Sequence, residues 1–435
     1  MRHIHKIQDR NRLYAFLRHY VDFSLHLAYR DIKYVGKEKI PADGAIIYAP
    51  NHTNALMDAL VILALDKKQK VFVARADIFR NRKVAKILSF LKIMPIMRIR
   101  DGMEEVRKNN ETIERSVDVL RDRVPFCILP EGTHRAKHSL LPLSKGIFRI
   151  AISASEMMPD HLPLYIVPMG LEYGNYFRFR SSVLIQAGDP INIGDYLRQH
   201  EDLTLPETMN LMKEELTERM KSVILYIPDD EYYDATRNIC AAVFRTYPRR
   251  RTLERRFAIN KEIIANIQRM REDQPCLAAE ILEKGNELER LRKEKRISLN
   301  SIAMNRPFWS RLIKLLLLVI TLPYTVPAAI LTSPITAVSA WLFTKMKDRA
   351  FFNSIRFVLT LVLWPLLLII YAVIAYCTIP WEWALGITLA LVPATVICQD
   401  AYRLLRLIVS DIYLMFSKQA QSLIKDIRLL YSRIR

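Results

Sequence analysis

The sequence predicts an α/β domain with a largely parallel sheet flanked by helices, followed by a helical segment and C-terminal transmembrane helices. Over residues 30–225, short apolar runs alternate with segments of helical periodicity, an order that is typical of β-α-β units. This strand pattern is lost over residues 226–306, where the chain is charged and basic. Residues 307–400 are strongly apolar, which is typical of a chain that enters a membrane.

The composition supports this division. The 435 residues are 51% hydrophobic and 25% charged, and the two classes are segregated along the chain. A net charge of +20 fits either nucleic acid or an anionic membrane surface, and the apolar C-terminal part favours the membrane. The five cysteines show no paired spacing and no nearby histidine cluster, so we expect no disulfide framework, no metal site and a reducing compartment. The amino terminus has no secretory signal pattern, so we expect the α/β domain in the cytosol.

Residues 1–29 are predicted to contain an amphipathic helix, because apolar side chains recur at helical spacing between Leu13 and Ala28. We expect this apolar stripe to be buried in the core, and the basic flanks leave the membrane interface as the alternative. Apolar runs bounded by turn residues predict strands at 32–35, 45–49, 70–74, 93–97, 124–129 and 162–169. Helical periodicity predicts helices between them at 55–65, 84–91, 106–121 and 146–154.

The segment that follows the strand at 45–49 contains Asn51, His52 and Asp58. A neutral histidine is well suited to remove a proton near pH 7, and a carboxylate on its other nitrogen orients the ring and stabilises the imidazolium. No serine or cysteine lies nearby to be activated, so such a base would act directly on a substrate hydroxyl. Two structural interpretations stay open: a helix start capped by Asn51 or Asn54, and an Asn-His-Thr glycosylation sequon.

A second segment, residues 129–133, ends the strand at 124–129. Pro130 breaks the strand, and Gly132 lets the backbone approach a ligand closely, with its amide and that of Thr133 free to donate. Cationic residues downstream, among them Lys145, suit a phosphate-bearing substrate. The alternative is a tight turn followed by a solvated basic face.

Three of the predicted strands lead into reactive or charged residues, namely His52, Arg98 and Glu131. In an open α/β sheet the carboxyl ends of the strands form the ligand crevice. We therefore expect these residues to converge on one site.

Together these blocks resemble the glycerolipid acyltransferase superfamily, which includes glycerol-3-phosphate and 1-acylglycerol-3-phosphate acyltransferases. The four blocks that carry the resemblance are Asn51-His52 with Asp58, residues 95–98, residues 126–133 with 141–146, and residues 166–168. Their order and spacing agree with the family over residues 30–190. The resemblance implies an acyltransferase domain over residues 30–225.

The spacing departs from the usual family pattern, because five residues, 53–57, separate the histidine from the aspartate instead of four. On a continuous helix one extra residue rotates a side chain by about 100°. Either the helix starts after His52 with a looser first turn, or it contains a bulge. A branch that resembles fungal glycerol-3-phosphate/dihydroxyacetone-phosphate acyltransferases has this longer spacing, which favours the first acylation step.

The resemblance implies a role for each matched residue. His52, oriented by Asp58, would take the proton of an acceptor hydroxyl, whose oxygen attacks the thioester of acyl-CoA or acyl carrier protein, with no cofactor and no metal. Arg98, or alternatively Arg100, would bind the acceptor phosphate. The substrate-binding residues expected on this basis are Asn51, Arg98, Arg100, Glu131, Gly132, Thr133 and Lys145.

Glycerol 3-phosphate or dihydroxyacetone phosphate is the expected acceptor, and lysophosphatidic acid or another lysophospholipid is the alternative. From a different class, the chain could be a non-catalytic lipid-binding scaffold. The basic cluster at 245–251 fits phospholipid headgroups or a solvated face. Membrane phospholipids are therefore expected partners, and nucleic acid is not.

The apolar part predicts several membrane segments. Residues 312–344 contain Pro323, Pro327 and Pro334 and have cations at both ends, so we expect a bent hairpin with both ends in the cytosol. Spans are expected at 357–377 and 383–398, followed by a cytosolic helix over 401–435. The expected location is a bacterial inner membrane or the endoplasmic reticulum, with several membrane passes and a cytosolic catalytic domain.

Overall fold

The computed structural model describes residues 6–96, 109–159, 161–248, 252–304, 306–346 and 348–433. The chain forms two compact units. The first contains Met1–Ile224 and Phe343–Phe357, and the second contains Leu225–Leu342 and Val358–Arg435. The candidate site lies in the first unit, so this unit is described first.

The first unit is built on one sheet of eight strands. The strands are β1 (Tyr29–Val35), β2 (Ala45–Pro50), β3 (Val71–Arg75), β4 (Ile93–Ile96), β5 (Phe126–Cys127), β6 (Leu164–Tyr173), β7 (Ser181–Ala187) and β8 (Ile191–Asn192). Their order is β1-β7-β6-β2-β5-β3-β4, with β8 beside β6. All neighbours are parallel except β6 with β7 and β6 with β8. The predicted α/β fold with a largely parallel sheet is confirmed.

Helices surround this sheet. They are α1 (Arg12–Ala28), α2 (Leu56–Leu63), α3 (Arg82–Phe90), α4 (Asn109–Arg121), α5 (Gly146–Met157), α6 (Ile193–Gln199) and α7 (Leu205–Val223), with 3-10 turns at Lys37–Lys39 and Ala76–Arg80. Apolar side chains of the central strands pack against α4, α5 and α7, and Ile47, Phe126, Phe148 and Met212 are fully buried there. Burial of this kind, at about 25 cal/mol per Å² of apolar surface, is the main term that stabilises the unit.

The apolar stripe of α1 is not the buried face that we expected. Leu25 and Ala28 are buried, but Leu13, Phe16 and Phe23 are exposed, with 73% of Phe16 accessible to solvent. The apolar residues of α1 form two faces, of which only one packs against the core. The exposed face favours the alternative position in a membrane interface.

The helix α2 is held at its C-terminal end by two cations. The Arg18 guanidinium of α1 donates to the carbonyls of Leu63, Asp66, Lys67 and Lys68 at 2.5–3.1 Å. The fully buried Lys70 ammonium donates to Asp66 at 2.8 Å and to the Leu63 carbonyl at 3.3 Å. Carbonyls at the end of a helix have no partner within the helix, so these contacts fix where α2 lies. The first turn of α2 carries Asp58.

The second unit is helical in its described residues. Its helices are α8 (Tyr233–Phe244), α9 (Leu253–Asp273), α10 (Pro275–Glu294), α11 (Leu299–Met304), α12 (Phe308–Lys345), α13 (Phe351–Thr378), α14 (Trp381–Leu391), α15 (Ala394–Phe416) and α16 (Lys418–Ser432), although the end of α12 and the start of α13 belong to the first unit. Of the basic cluster at 245–251, Arg249, Arg250 and Arg251 lie outside the described residues.

Within the described chain, α12 and α13 are long and apolar enough to cross a membrane, and the pair α14 and α15, bent by 49°, is a further candidate span. The bent hairpin expected over residues 312–344 is wrong in its local geometry, because α12 continues through Pro323, Pro327 and Pro334. A proline removes one backbone hydrogen bond from a helix, a loss that apolar helices tolerate when neighbouring groups supply partners. The prolines therefore did not mark the turn that we expected.

Candidate active site

The candidate site lies at the carboxyl ends of β2 and β5, which are parallel neighbours. Ile128 N donates to the Tyr48 carbonyl at 3.0 Å, so the pairing continues up to the point where the two chains leave the sheet. His52 follows β2 and Glu131 follows β5. The expected convergence of these two residues is observed, since the His52 backbone N–H donates to Glu131 Oε1 at 2.6 Å.

His52 and Asp58 form a hydrogen-bonded pair, with 2.8 Å between His52 Nδ1 and Asp58 Oδ2. A carboxylate accepts hydrogen bonds, so this contact places the imidazole proton on Nδ1 and leaves Nε2 as the basic nitrogen. The Asp58 side chain is fully buried, whereas 17% of the His52 side chain is exposed. The pair thus has the geometry of a general base with an orienting carboxylate.

The Asp58 carboxylate accepts three further hydrogen bonds. Oδ2 accepts from the backbone N–H groups of Thr53 at 2.8 Å and Asn54 at 2.7 Å, and Oδ1 accepts from the Tyr173 hydroxyl at 2.7 Å. Burial and the nearby Asp58 charge raise the pKa of Tyr173 well above its usual value. Tyr173 therefore remains a neutral hydroxyl donor. These donors offset the cost of removing a carboxylate from water.

The unusual spacing between His52 and Asp58 is accommodated before the helix begins. α2 starts at Leu56, and Ala55 adopts φ 47° and ψ −123° at its N-terminus. A non-glycine residue in this region is strained by about 1–3 kcal/mol. The strained turn directs the amides of Thr53 and Asn54 to Asp58. Of the two explanations that we considered, a helix that starts after His52 with a looser first turn is confirmed.

Asn51 is a structural clamp rather than a cap. Its side chain accepts from the Leu171 N–H at 2.6 Å and donates to the Leu171 carbonyl at 3.2 Å, which ties the end of β2 to β6. α2 has no side-chain cap, so the interpretation of Asn51 or Asn54 as its cap is wrong. Only 3% of Asn51 is exposed, and this burial is incompatible with a glycosylated sequon.

Glu131 joins two loops. Its Oε1 accepts from His52 N, and its Oε2 accepts from Leu141 N at 2.8 Å. Burial raises the pKa of Glu131 to about 7, against the two N–H groups and the His52 charge, which lower it. Both oxygens are thus engaged by the backbone. Its expected contact with substrate stays a prediction.

The remaining expected binding residues are less completely defined. Gly132 adopts φ 65°, and its N–H donates to the Leu129 carbonyl at 3.1 Å, so the expectation that this amide is free is wrong. The tight turn uses it instead. Thr133 is exposed, and Lys145 lies at the start of α5. Arg98 and Arg100 lie outside the described residues, and their role stays a prediction.

Sequence reasoning missed His134, which directly follows the block at 129–133. Its ring centroid lies 5.2 Å from that of His52, in an edge-to-face arrangement. Burial lowers the pKa of His134, and a charge on His52 would lower it further, while Asp348 opposes both effects. His134 is therefore biased towards the neutral form. Its position next to a recognised block was the available signal.

Tyr173 was missed for a different reason. β6 continues past the end of β2, since Pro50 pairs with Met169, and Tyr173 is the last residue of β6. The predicted strand at 162–169 stopped four residues too early. No local signal marks a tyrosine at the end of an apolar strand as a partner of a carboxylate that is distant in the sequence.

The raised pKa of Glu131 predicts a pH-dependent stability. In the unfolded chain Glu131 loses its proton near pH 4.5, and in the folded chain near pH 7. Stability supplied by the protonated carboxyl is present below pH 4.5 and is lost as the pH rises through 7, by at most about 3 kcal/mol. We expect the thermal stability of the native chain relative to Glu131→Gln to fall between pH 5 and pH 8.

The exposed Glu156 supplies the control for this measurement. Glu156→Gln should show a stability difference from the native chain that does not change over the same pH range. An equal pH dependence in both variants would contradict the assignment to Glu131.

Comparisons with known proteins identify the proteins that this chain resembles. Residues 31–172 match the family model described as Acyltransferase. The chain is 29% identical over 168 residues to glycerol-3-phosphate O-acyltransferase 2 of Saccharomyces cerevisiae, which covers 38% of this chain and 22% of that protein. It is 26% identical over 117 residues to a chloroplastic 1-acyl-sn-glycerol-3-phosphate acyltransferase of Brassica napus, which covers 27% of this chain and 32% of that protein.

A crystal structure of the 1-acyl-sn-glycerophosphate acyltransferase of Thermotoga maritima aligns with a TM-score of 0.35 and 17% identity, over 50% of this chain and 83% of that chain. The aligned segments of the chain span less than a third of the length of the yeast and plant relatives. The predicted resemblance is confirmed by the family model and the relatives. Residues 31–172 match the acyltransferase family model, and this region of the chain is similar to members of the glycerolipid acyltransferase superfamily.

Proposed function

We propose that this chain transfers a fatty acyl group from an acyl thioester to the hydroxyl of glycerol 3-phosphate or dihydroxyacetone phosphate, in phospholipid biosynthesis. The observation that carries the proposal is the His52–Asp58 pair, whose Nδ1 contact leaves Nε2 as the basic nitrogen beside the carboxyl ends of the strands. A base in this position can act on a hydroxyl without a covalent acyl-enzyme.

The reaction follows from this arrangement. Nε2 of His52 takes the proton as the acceptor oxygen forms its bond to the thioester carbonyl carbon. Asp58 stabilises the imidazolium that results. The carbon–sulfur bond then breaks, and the imidazolium returns the proton to the departing thiolate. An ester and a free thiol are the products, and no cofactor beyond the acyl-CoA or acyl carrier protein donor is needed.

The choice of acceptor is supported by two yeast relatives with the same printed activity. Glycerol-3-phosphate O-acyltransferase 1 of Saccharomyces cerevisiae is 30% identical over 106 residues, 24% of this chain and 14% of that protein, and the second yeast enzyme is described above. The longer spacing between His52 and Asp58 agrees with this choice. The Brassica napus relative favours 1-acylglycerol 3-phosphate as the alternative acceptor.

We also propose that the catalytic domain faces the cytosol. Residues 343–357 belong to the same compact unit as residues 1–224, so the C-terminal end of α12 is expected on the same side of the bilayer as the catalytic domain. α12 has cations near both ends, Arg311 and Lys345, which also favours the cytosol. At about 57 Å, its 38 residues are far longer than the roughly 30 Å hydrocarbon layer requires. α13 is then expected to cross the bilayer, and the bent pair α14 and α15 to cross back.

The first experiment uses the lipid-reconstituted chain with one of two acyl donors, a long-chain acyl-CoA or a long-chain acyl group on acyl carrier protein. Each donor is tested separately with three acceptors: glycerol 3-phosphate, dihydroxyacetone phosphate and lysophosphatidic acid. Thiol release and the lipid product are measured. We expect turnover with glycerol 3-phosphate and dihydroxyacetone phosphate. In His52→Ala we expect the turnover rate to fall by about 10²-fold to 10⁴-fold.

The exposed His161 provides a matched control, and His161→Ala should keep native turnover. A preference for lysophosphatidic acid would replace the proposed acylation step with the second one. Turnover by His52→Ala at the native rate would exclude the general-base role, and silence with every donor and acceptor would favour a non-catalytic scaffold.

A second experiment assigns the phosphate ligand. We expect Arg98→Ala to raise the KM for the acceptor at least about tenfold, because a hydrogen bond between charged groups contributes about 1.5–3 kcal/mol. Arg100→Ala serves as the neighbouring control. If only Arg100→Ala raises this KM, the phosphate contact belongs to Arg100.

A third experiment tests the orientation. In sealed vesicles, a membrane-impermeant maleimide should label Lys345→Cys from the same side as the exposed native Cys276, and Glu382→Cys from the opposite side. Labelling of Lys345→Cys from the side opposite to Cys276 would contradict a cytosolic position for the C-terminal end of α12.

A further inference from the structure

The loop that joins α12 and α13 carries an unexpected set of contacts. Residues 343–357, here called the linker, lie beyond the matched acyltransferase region, yet they belong to the compact unit that contains His52. They include the end of α12 and the first turns of α13. The linker meets the catalytic region in three places.

The first contact reaches His134. Its Nε2 lies 2.9 Å from Asp348 Oδ2, and its ring centroid lies 4.6 Å from that of Phe351 with an interplanar angle of 86°. The His134 ring also contacts the His52 ring, with 5.2 Å between the two centroids. Asp348 Oδ1 accepts from Ala350 N at 2.9 Å, which fixes the orientation of the carboxylate. His134 is thus held between the linker and the proposed base.

The second contact connects the linker to Asp58, the carboxylate that orients the proposed base, through two tyrosines. Asn353, which is buried, donates from Nδ2 to the Tyr29 hydroxyl at 3.4 Å. The Tyr29 ring lies 5.9 Å from the Tyr173 ring, and the Tyr173 hydroxyl donates to Asp58. A chain of buried polar groups therefore leads from the linker to the carboxylate that orients His52.

The third contact anchors the linker to the loop between β6 and β7. The guanidinium of Arg349 lies 5.5 Å from the Phe177 ring centroid, and Arg356 Nη1 donates to the Phe177 carbonyl at 3.3 Å. Cation–π contacts of this kind contribute about 0.5–1 kcal/mol at exposed sites. The linker is therefore attached at several points rather than through one side chain.

We propose that Asp348 and Phe351 complete the active site as positioning residues, which hold the His134 ring against His52. The proposal rests on the proposed function of His52 as the general base. Asp58 fixes the His52 ring by one nitrogen, and a ring held at one nitrogen can still tilt about that contact. The His134 edge, backed by Phe351, limits this tilt and keeps Nε2 in line with the acceptor hydroxyl.

Two alternative roles of the linker, stabilisation of the fold and binding of the acceptor, would give different results from a positioning role. If the linker only stabilised the fold, loss of its contacts would lower the thermal stability, and activity would fall in step. If it bound the acceptor, KM would rise while kcat stayed constant. A positioning role lowers kcat while KM and thermal stability stay near their native values, since a small misplacement of a catalytic group reduces rate strongly.

The test uses the full reconstituted chain and two adjacent phenylalanines. Phe351 contacts His134, whereas the Phe352 ring stacks on Phe343 at 4.0 Å. We expect Phe351→Ala to lower kcat about tenfold to hundredfold, with the acceptor KM and the melting temperature close to native. Phe352→Ala should change kcat less than about twofold, and Phe351→Tyr, which keeps the aromatic edge, should restore most of the lost rate.

Asp348→Asn provides an independent variant, because asparagine keeps an oxygen for the Ala350 N–H while it removes the charge beside His134. We expect it to lower kcat in the same direction as Phe351→Ala. Equal losses of kcat in Phe351→Ala and Phe352→Ala, or a loss that follows the melting temperature, would overturn the proposal. A rise in the acceptor KM without a fall in kcat would do so as well.

A readout that needs no turnover separates failure of this proposal from failure of the proposed function. Diethyl pyrocarbonate modifies accessible neutral imidazoles, and mass spectrometry reports its rate at each histidine. With the linker contact removed in Phe351→Ala, His134 should react several-fold faster than in the native chain and in Phe352→Ala. An unchanged rate at His134 would show that Phe351 does not hold this ring, whatever reaction the chain performs.

Discussion

The buried carboxylate of Asp58 is the constraint on which the site depends. Its two oxygens accept from His52 Nδ1, from two backbone amides and from the Tyr173 hydroxyl. A buried carboxylate without such donors would cost several kcal/mol. Three features of the fold bring these donors to one point. They are the strained turn at Ala55, the contacts of Arg18 and Lys70 that fix α2, and the extension of β6 to Tyr173.

The parallel sheet and part of the candidate site could be predicted from the sequence, because they depend on local sequence patterns. Alternating apolar runs and helical periodicity give the parallel sheet, and the parallel sheet then places His52 and Glu131 at one edge. The extra residue between His52 and Asp58 left two explanations open, a helix that starts late or a bulge, and the structure decides for the first. These inferences need only a strand direction and a chain order.

The rest depended on contacts between distant segments. β7 was missed because its apolar run, Val183 to Ile185, is short and follows an arginine-rich turn, and its antiparallel pairing with β6 has no local signature. Tyr173 and Phe351 lie far from His52 in sequence, and aromatic residues in apolar segments are ordinarily core. The exposed face of α1 and the continuous α12 show the opposite limit. There, periodicity predicts a helix but not which of its faces is buried, and prolines predict a break that neighbouring groups can prevent.

The linker has a consequence for how the protein is made. His52, Asp58, His134 and Tyr173 leave the ribosome well before residues 343–357, which emerge only after α12. Domains generally fold in the order of their synthesis, so the sheet and its histidine–aspartate pair can form while the linker is still untranslated. The nascent domain then lacks part of its compact unit until the first apolar helix has been translated. Maturation of this unit is thereby coupled in time to the synthesis of α12.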